Sequence, residues 1–212
     1  MKTVLAFGDS LTWGYDPESG RRHLSENRWP VALADALGGR VEVIGEGLNG
    51  RTTAFDDHLG GSDRNGARTL PMVLDTHKPI DLVVIMLGTN DLKPSVHGLA
   101  FTARQGIEKL VSLVRNHDWS FEMETPAVLI VAPPPFCETA NPDYAAMFAG
   151  KISESRMLGS MYADVADDLE CGFFDASTVA STSPVDGIHL DAENTRAIGK
   201  ALAPVVSLML GL

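Results

Sequence analysis

The chain has 212 residues, of which 44% are hydrophobic. That is the length of one domain, with enough apolar material for a full core, so a disordered chain is excluded. Asp and Glu number 28 against 17 Lys and Arg, a formal net charge of −11, and a field of that sign repels phosphate backbones and anionic bilayers. Neither nucleic acid nor a membrane is expected as a partner.

Two cysteines, Cys137 and Cys171, are too few for a disulfide framework and lack the C-x-x-C spacing of metal or redox sites. They are expected to be buried thiols. The first apolar run, residues 4–7, ends in Gly8 and Asp9, whereas a secretion signal needs about 7 to 15 apolar residues. Runs 82–87 and 127–132 fall far below the roughly 20 residues of a spanning helix. With no Asn-x-Ser/Thr sequon either, the expectation is a soluble, cytoplasmic protein.

Taken in chain order, β-branched apolar runs at residues 3–7, 41–44, 82–87, 127–132 and 172–174 predict five strands. Between and after them, residues 29–37, 69–77, 98–117, 145–168 and 191–210 carry apolar side chains at three- and four-residue intervals, which predicts helices. Continuous apolar strands are buried on both faces, so this β-α-β-α rhythm predicts a three-layer α/β/α sandwich with a five-stranded parallel sheet. The last helical stretch is apolar around most of its circumference, which suits either deep packing or a subunit contact. Two polar connections, residues 15–28 and 55–68, exceed what a compact βα loop needs and are either functional loops or surface excursions.

Ligands of open parallel sheets bind beyond the carboxyl ends of the strands, and those ends carry Gly8-Asp9-Ser10-Leu11, Gly45-Glu46-Gly47-Leu48-Asn49-Gly50, Gly88-Thr89-Asn90-Asp91, Pro133-Pro134-Pro135-Phe136 and Asp186-Gly187-Ile188-His189. Ser10 alone would read as a helix N-cap. Asp186 and His189, three residues apart, change that reading: one turn can aim the carboxylate at one imidazole nitrogen while the other faces Ser10. His23, His58, His77, His97 and His117 lack that arrangement and are expected to be surface or structural. Asn90 and the side-chain-free backbone N–H of Gly50, with the N–H of Ser10, supply donors for a tetrahedral oxyanion. Trp13, the stiff segment through Pro134 and Phe136, and Ile188 beside the histidine are the candidate pocket walls, the alternative for Trp13 being a core position.

Gly45-Glu46-Gly47-Leu48-Asn49-Gly50 formally fits G-x-G-x-x-G, but no apolar helix stripe follows it, which argues against a dinucleotide. Thr12 replaces the last glycine of G-x-S-x-G. Asp9, Asp91 and Asp186 near strand ends motivate a rival reading as a Mg²⁺-dependent phosphohydrolase, and a flavodoxin-like binding module is the non-enzymatic alternative.

In its motif blocks, Gly8–Leu11, Gly50, Gly88–Asp91 and Asp186–His189, the chain resembles the SGNH (GDSL-type) hydrolases, and within them the bacterial arylesterase/acyltransferase subgroup. The resemblance implies a flavodoxin-like fold and a catalytic triad of Ser10, Asp186 and His189. It also implies an oxyanion hole of Ser10, Gly50 and Asn90, action on short acyl esters of aryl, alkyl or sugar alcohols, some acyl transfer, no cofactor or metal, and a homo-oligomer. Asn49 stands where many relatives carry Ser.

Overall fold

The computed structural model describes residues 1–120 and 123–212 of the chain. Its first strand, β1 (Lys2–Gly8), lies in the interior of the sheet, and its Val4, Leu5, Ala6 and Phe7 are fully buried. An extended chain sends alternate side chains to opposite faces, so Leu5 and Phe7 enter one hydrophobic core and Val4 and Ala6 the other. β2 (Val41–Gly47) and β3 (Leu82–Met86) flank β1, followed outward by β4 (Ala127–Ala132) and β5 (Gly172–Asp175), giving the order β2-β1-β3-β4-β5 with every pair parallel. The expected five-stranded parallel sheet is therefore present. Because the chain moves from β1 to one neighbour and then returns to the other side, the strand order reverses between β1 and β3, where such folds open a crevice.

After β1 comes the one-turn helix α1 (Ser10–Trp13), and α2 (Trp29–Ala36) precedes β2. α3 (Gly66–His77) and α4 (Ala100–Arg115) bracket β3, while α5 (Pro142–Met147) and α6 (Ile152–Asp168) lie between β4 and β5. The chain ends in α7 (Ala192–Leu210). One core joins Leu5, Phe7, Ile85 and Ile130 to Leu74 of α3, Ile107 and Leu110 of α4, and Leu158 and Tyr162 of α6. The other joins Val4, Val84 and Val131 to Trp29 and Leu33 of α2 and Ile198 and Leu202 of α7. These are the two outer layers of the sandwich. α7 is packed rather than open: it buries Ile198, Leu202, Ala203 and Val206, with Leu208 its exposed apolar residue.

The structure corrects several boundaries. The predicted helix over residues 145–168 is two helices, interrupted at residues 148–151 where Gly150 adopts a positive φ of 71°, a conformation glycine alone enters freely. β2 runs on to Gly47 through a half-buried edge position whose Gly and Glu residues mask the apolar pattern. α3 begins three residues before its apolar stripe because the side chain of Asn65 caps it, accepting from Arg68 N at 3.2 Å. The cysteines are half-buried rather than buried. Cys137 lies in the open segment beyond β4, and Cys171 immediately precedes the edge strand β5, which has a neighbour on one side only. No helix among the described residues is long and apolar enough to cross a membrane.

Helix α4 approaches the loop after β2 so closely that a Cβ on Gly106 would sit 1.7 Å from Thr53 Oγ1. Overpacking of this kind costs about 1–3 kcal/mol. Gly106→Ala is therefore expected to lose stability of that order, read as a lower urea midpoint at unchanged m-value.

Candidate active site

Ser10 follows directly on β1. Asp9 caps the turn, its Oδ1 accepting from Leu11 N at 2.9 Å, and Gly14 closes it in the left-handed region at φ 89°. The turn rests on β2: a Cβ on Gly47 would fall 2.2 Å from Trp13 N. That glycine of the apparent dinucleotide pattern is thus occupied in making room for α1.

The segment before α7 carries the other two members of the predicted triad. Asp186 Oδ1 accepts from the backbone N–H groups of Ile188 at 2.9 Å and His189 at 2.8 Å. Its Oδ2 faces His189 Nδ1 at 2.6 Å, and His189 Nε2 lies 2.9 Å from Ser10 Oγ. A carboxylate only accepts, so the neutral ring carries its proton on Nδ1 and receives the serine hydroxyl's hydrogen bond at Nε2. Burial works to raise the Asp186 pKa, but the hydrogen bonds and charge of His189 outweigh it and hold the carboxyl below its ordinary value. Ser10, Asp186 and His189 are all buried.

Opposite the imidazole, Gly50 stands at φ 82° in the turn after β2, and Asn90 begins the short turn after β3. Both line a cleft of about 150 Å³ together with Ser10, His189, Ile188 and Lys93. Asn90 Nδ2 donates to Arg51 O at 3.1 Å and to Asp9 Oδ2 at 3.3 Å, so serving a third acceptor means yielding the longer bond, to Asp9.

The structure gathers Ser10, Gly50, Asn90, Ile188 and His189 around one cleft and places three predicted wall residues outside it. Trp13 is turned away: Arg22 folds over its ring at 4.9 Å and donates to its carbonyl at 2.8 Å. Pro134 is buried without lining the cleft. Phe136 belongs to an adjoining chamber of about 290 Å³, which shares Ile188, Tyr144 and Phe148 with the cleft.

Sequence reasoning missed the two tyrosines that flank the imidazole. The ring of Tyr15 lies 4.2 Å from that of His189, and Tyr144 meets His189 edge-on at 5.6 Å. Burial, and then a hydrogen bond with Tyr15, raise the Tyr144 hydroxyl above its ordinary value. Position 15 lies four residues past the first motif block and could have been suspected, whereas Tyr144 lies just before the predicted helix over residues 145–168 and carries no signal of its own. Both long loops serve the site. His23 Nε2 bonds the carbonyl of Leu190, next to His189, at 2.9 Å, and Arg64 donates to the carbonyl of Asn49.

Asp9 and Asp91 lie beneath the cleft, each raised to about 7, chiefly by desolvation. Asp91 accepts from the backbone N–H and hydroxyl of Thr53. Asp9, Asp91 and Asp186 are thus each committed to different partners, and among the described residues no group of three or more His, Cys, Asp or Glu could hold a metal ion.

An α/β/α sandwich with a Ser-His-Asp chain in a cleft at the carboxyl edge of its sheet has the architecture of an SGNH-type hydrolase. The model of the GDSL-like lipase/acylhydrolase family matches residues 6–197; the chain belongs to that family and is a carboxylic ester hydrolase. Among solved structures it is similar to a carbohydrate acetylesterase family member from Sinorhizobium meliloti, at 63% identity over all of both chains and a TM-score of 0.98. It is also similar to the M. smegmatis aryl esterase, at 41% identity over 99% of this chain and 100% of the other, with a TM-score of 0.94. A curated human relative, isoamyl acetate-hydrolyzing esterase 1 homolog, is 24% identical over 96% of this chain and 80% of its own length.

The raised pKa of Asp91 sets a testable sign. A buried carboxyl whose pKa is about 7 when folded and 3.8 when unfolded binds more protons in the native state between those values, so its contribution to stability is lost as pH rises through that window. Asp91→Asn removes this titration. The stability difference, variant minus native, is therefore expected to move in the variant's favour from pH 4 to pH 8, by chemical denaturation at each pH.

Proposed function

We propose that the protein hydrolyses short-chain, above all acetyl, esters of aryl, alkyl or carbohydrate alcohols through an acyl-enzyme on Ser10. The observation that carries this reading is the continuous hydrogen-bonded line from Asp186 through His189 to Ser10, at 2.6 and 2.9 Å. His189 Nε2 takes the hydroxyl proton as Ser10 Oγ attacks the ester carbonyl. The carbonyl oxygen becomes an oxyanion held by the N–H groups of Ser10 and Gly50 and by Asn90 Nδ2, which yields its longer bond to Asp9 to do so. When the intermediate collapses, the C–O bond to the alcohol breaks and His189 returns the proton to the departing oxygen. Water then gives a proton to His189 as it attacks the acyl-enzyme, and on collapse the ester bond to Ser10 Oγ breaks, His189 returns that proton to Oγ and the carboxylic acid leaves. An alcohol or peroxide in place of that water yields acyl transfer.

The names of the similar proteins, two of which refer to acetate or acetyl esters and one to aryl esters, support this substrate class. The small cleft, walled in part by Tyr144, Phe148 and Ile188, supports a short acyl group as the favoured fit. Self-association into a homo-oligomer belongs to the same reading and is checked by light scattering.

Ser10→Ala is expected to abolish turnover of p-nitrophenyl acetate and labelling by a fluorophosphonate, and persistence of either would overturn the mechanism. Asn90→Ala should lower kcat by about 10² to 10³ through loss of one oxyanion donor, with the folded state intact by circular dichroism. Across acetyl, butyryl and octanoyl esters of one phenol, kcat/KM should fall with chain length.

A further inference from the structure

We infer that Arg51 is a positioning residue for the oxyanion side of the cleft, its side chain fixing the Gly50 turn and, through its own carbonyl, the Asn90 amide. This rests on the acyl-enzyme reading and adds to it a residue outside the proposed triad and donors.

Arg51 is 4% exposed. Among the described residues it has no carboxylate within salt-bridge distance. A buried cation without a paired anion is costly, and this one is placed to hold main chain. Its Nη1 donates to the carbonyl of Gly8 at 2.8 Å and to that of Glu46, and the guanidinium lies over the Phe7 ring at 4.1 Å. Desolvation lowers its pKa to about 10, so it stays charged at neutral pH.

Those partners lie at the carboxyl ends of β1 and β2, and the main chain of Arg51 connects them to the end of β3. Its N–H closes the turn on Leu48 O at 3.0 Å, and its carbonyl accepts from Asn90 Nδ2 at 3.1 Å. One residue therefore ties together the three places from which Ser10, Gly50 and Asn90 project. Arg64 grips the same turn at Asn49 O from the outer loop, but it reaches neither Gly8 nor Glu46 in the hydrogen-bond pattern. Without the inner anchor, Gly50 and Asn90 lose their fixed spacing, and misplacement by about 1 Å can cost on the order of 10² in rate.

The test uses the full chain carrying Arg51→Met, with Arg51→Lys as the milder change should the first not fold. Arg51→Met is expected to lower kcat on p-nitrophenyl acetate by about 10- to 100-fold. KM should stay within about twofold; in Arg51→Lys, which keeps the charge that acts on Asp9, the pH at which the rate rises should stay put, since His189 and Asp186 are untouched. Arg51→Lys, which keeps charge but loses the planar fork, should fall between. Added guanidinium should restore part of kcat to Arg51→Ala, and urea should not. A native kcat in Arg51→Met or Arg51→Lys, a loss confined to KM, or a moved pH limb in Arg51→Lys would overturn the inference. Native enzyme without turnover, or Ser10→Ala with full turnover, would instead overturn the esterase mechanism. In that event amide NMR decides Arg51: shifted Gly50 N–H and Asn90 side-chain resonances in Arg51→Lys sustain the positioning role, and unmoved ones end it.

Discussion

The site exists because β1 runs through the interior of the sheet with partners on both edges. Ser10 and His189 are far apart in the chain yet 2.9 Å apart in space. That closeness follows from β1 delivering Ser10 to the crevice at which the strand order reverses, while the segment before α7 returns over the same edge. β2 and β3, hydrogen-bonded to either side of β1, bring Gly50 and Asn90 to the flanks of Ser10. A strand slipped by one residue would exchange its core faces and lose this convergence.

The neighbourhood of the crevice is rich in buried polar groups: Asp9, Arg51, Thr53, Asn90 and Asp91 are all withdrawn from water. Such groups weaken a core unless hydrogen-bonded. Here their bonds run mainly to main chain: Asp9 to Leu11, Asp91 to Thr53, Arg51 to Gly8 and Glu46. The loop ends are thereby held by side chains where neither sheet nor helix can hold them.

How much could be read beforehand depended on whether the signal was local. The strands, most of the outer helices and the Asp186-x-x-His189 spacing are local patterns, and they lie in the structure within a few residues of where the sequence places them. Asn90 and Gly50 were legible because each follows an apolar strand directly. Pairings across the fold were not. Nothing near Trp13 says that Arg22 will cover it and that Tyr15 will take the position against the imidazole. The break between α5 and α6 was hidden because apolar spacing continues through residues 148–151, and the positive φ of Gly150 becomes apparent only in three dimensions. Cys137 and Cys171 are half-buried because, although cysteine as a type favours burial, their places, a loop and the residue before an edge strand, do not.

α5 has no buried residue of its own, yet it contributes Tyr144 and Met147 to the cleft. It hangs between a capped start at Asn141 and the interruption at Gly150, touching one core through the half-buried Tyr144 and the other not at all. The chemistry is therefore mounted on rigid strand ends, while part of the surrounding wall is mounted on an appendage. Mutation can reshape that appendage at little thermodynamic risk to the scaffold, so that lineages sharing one reaction can diverge in the esters they accept.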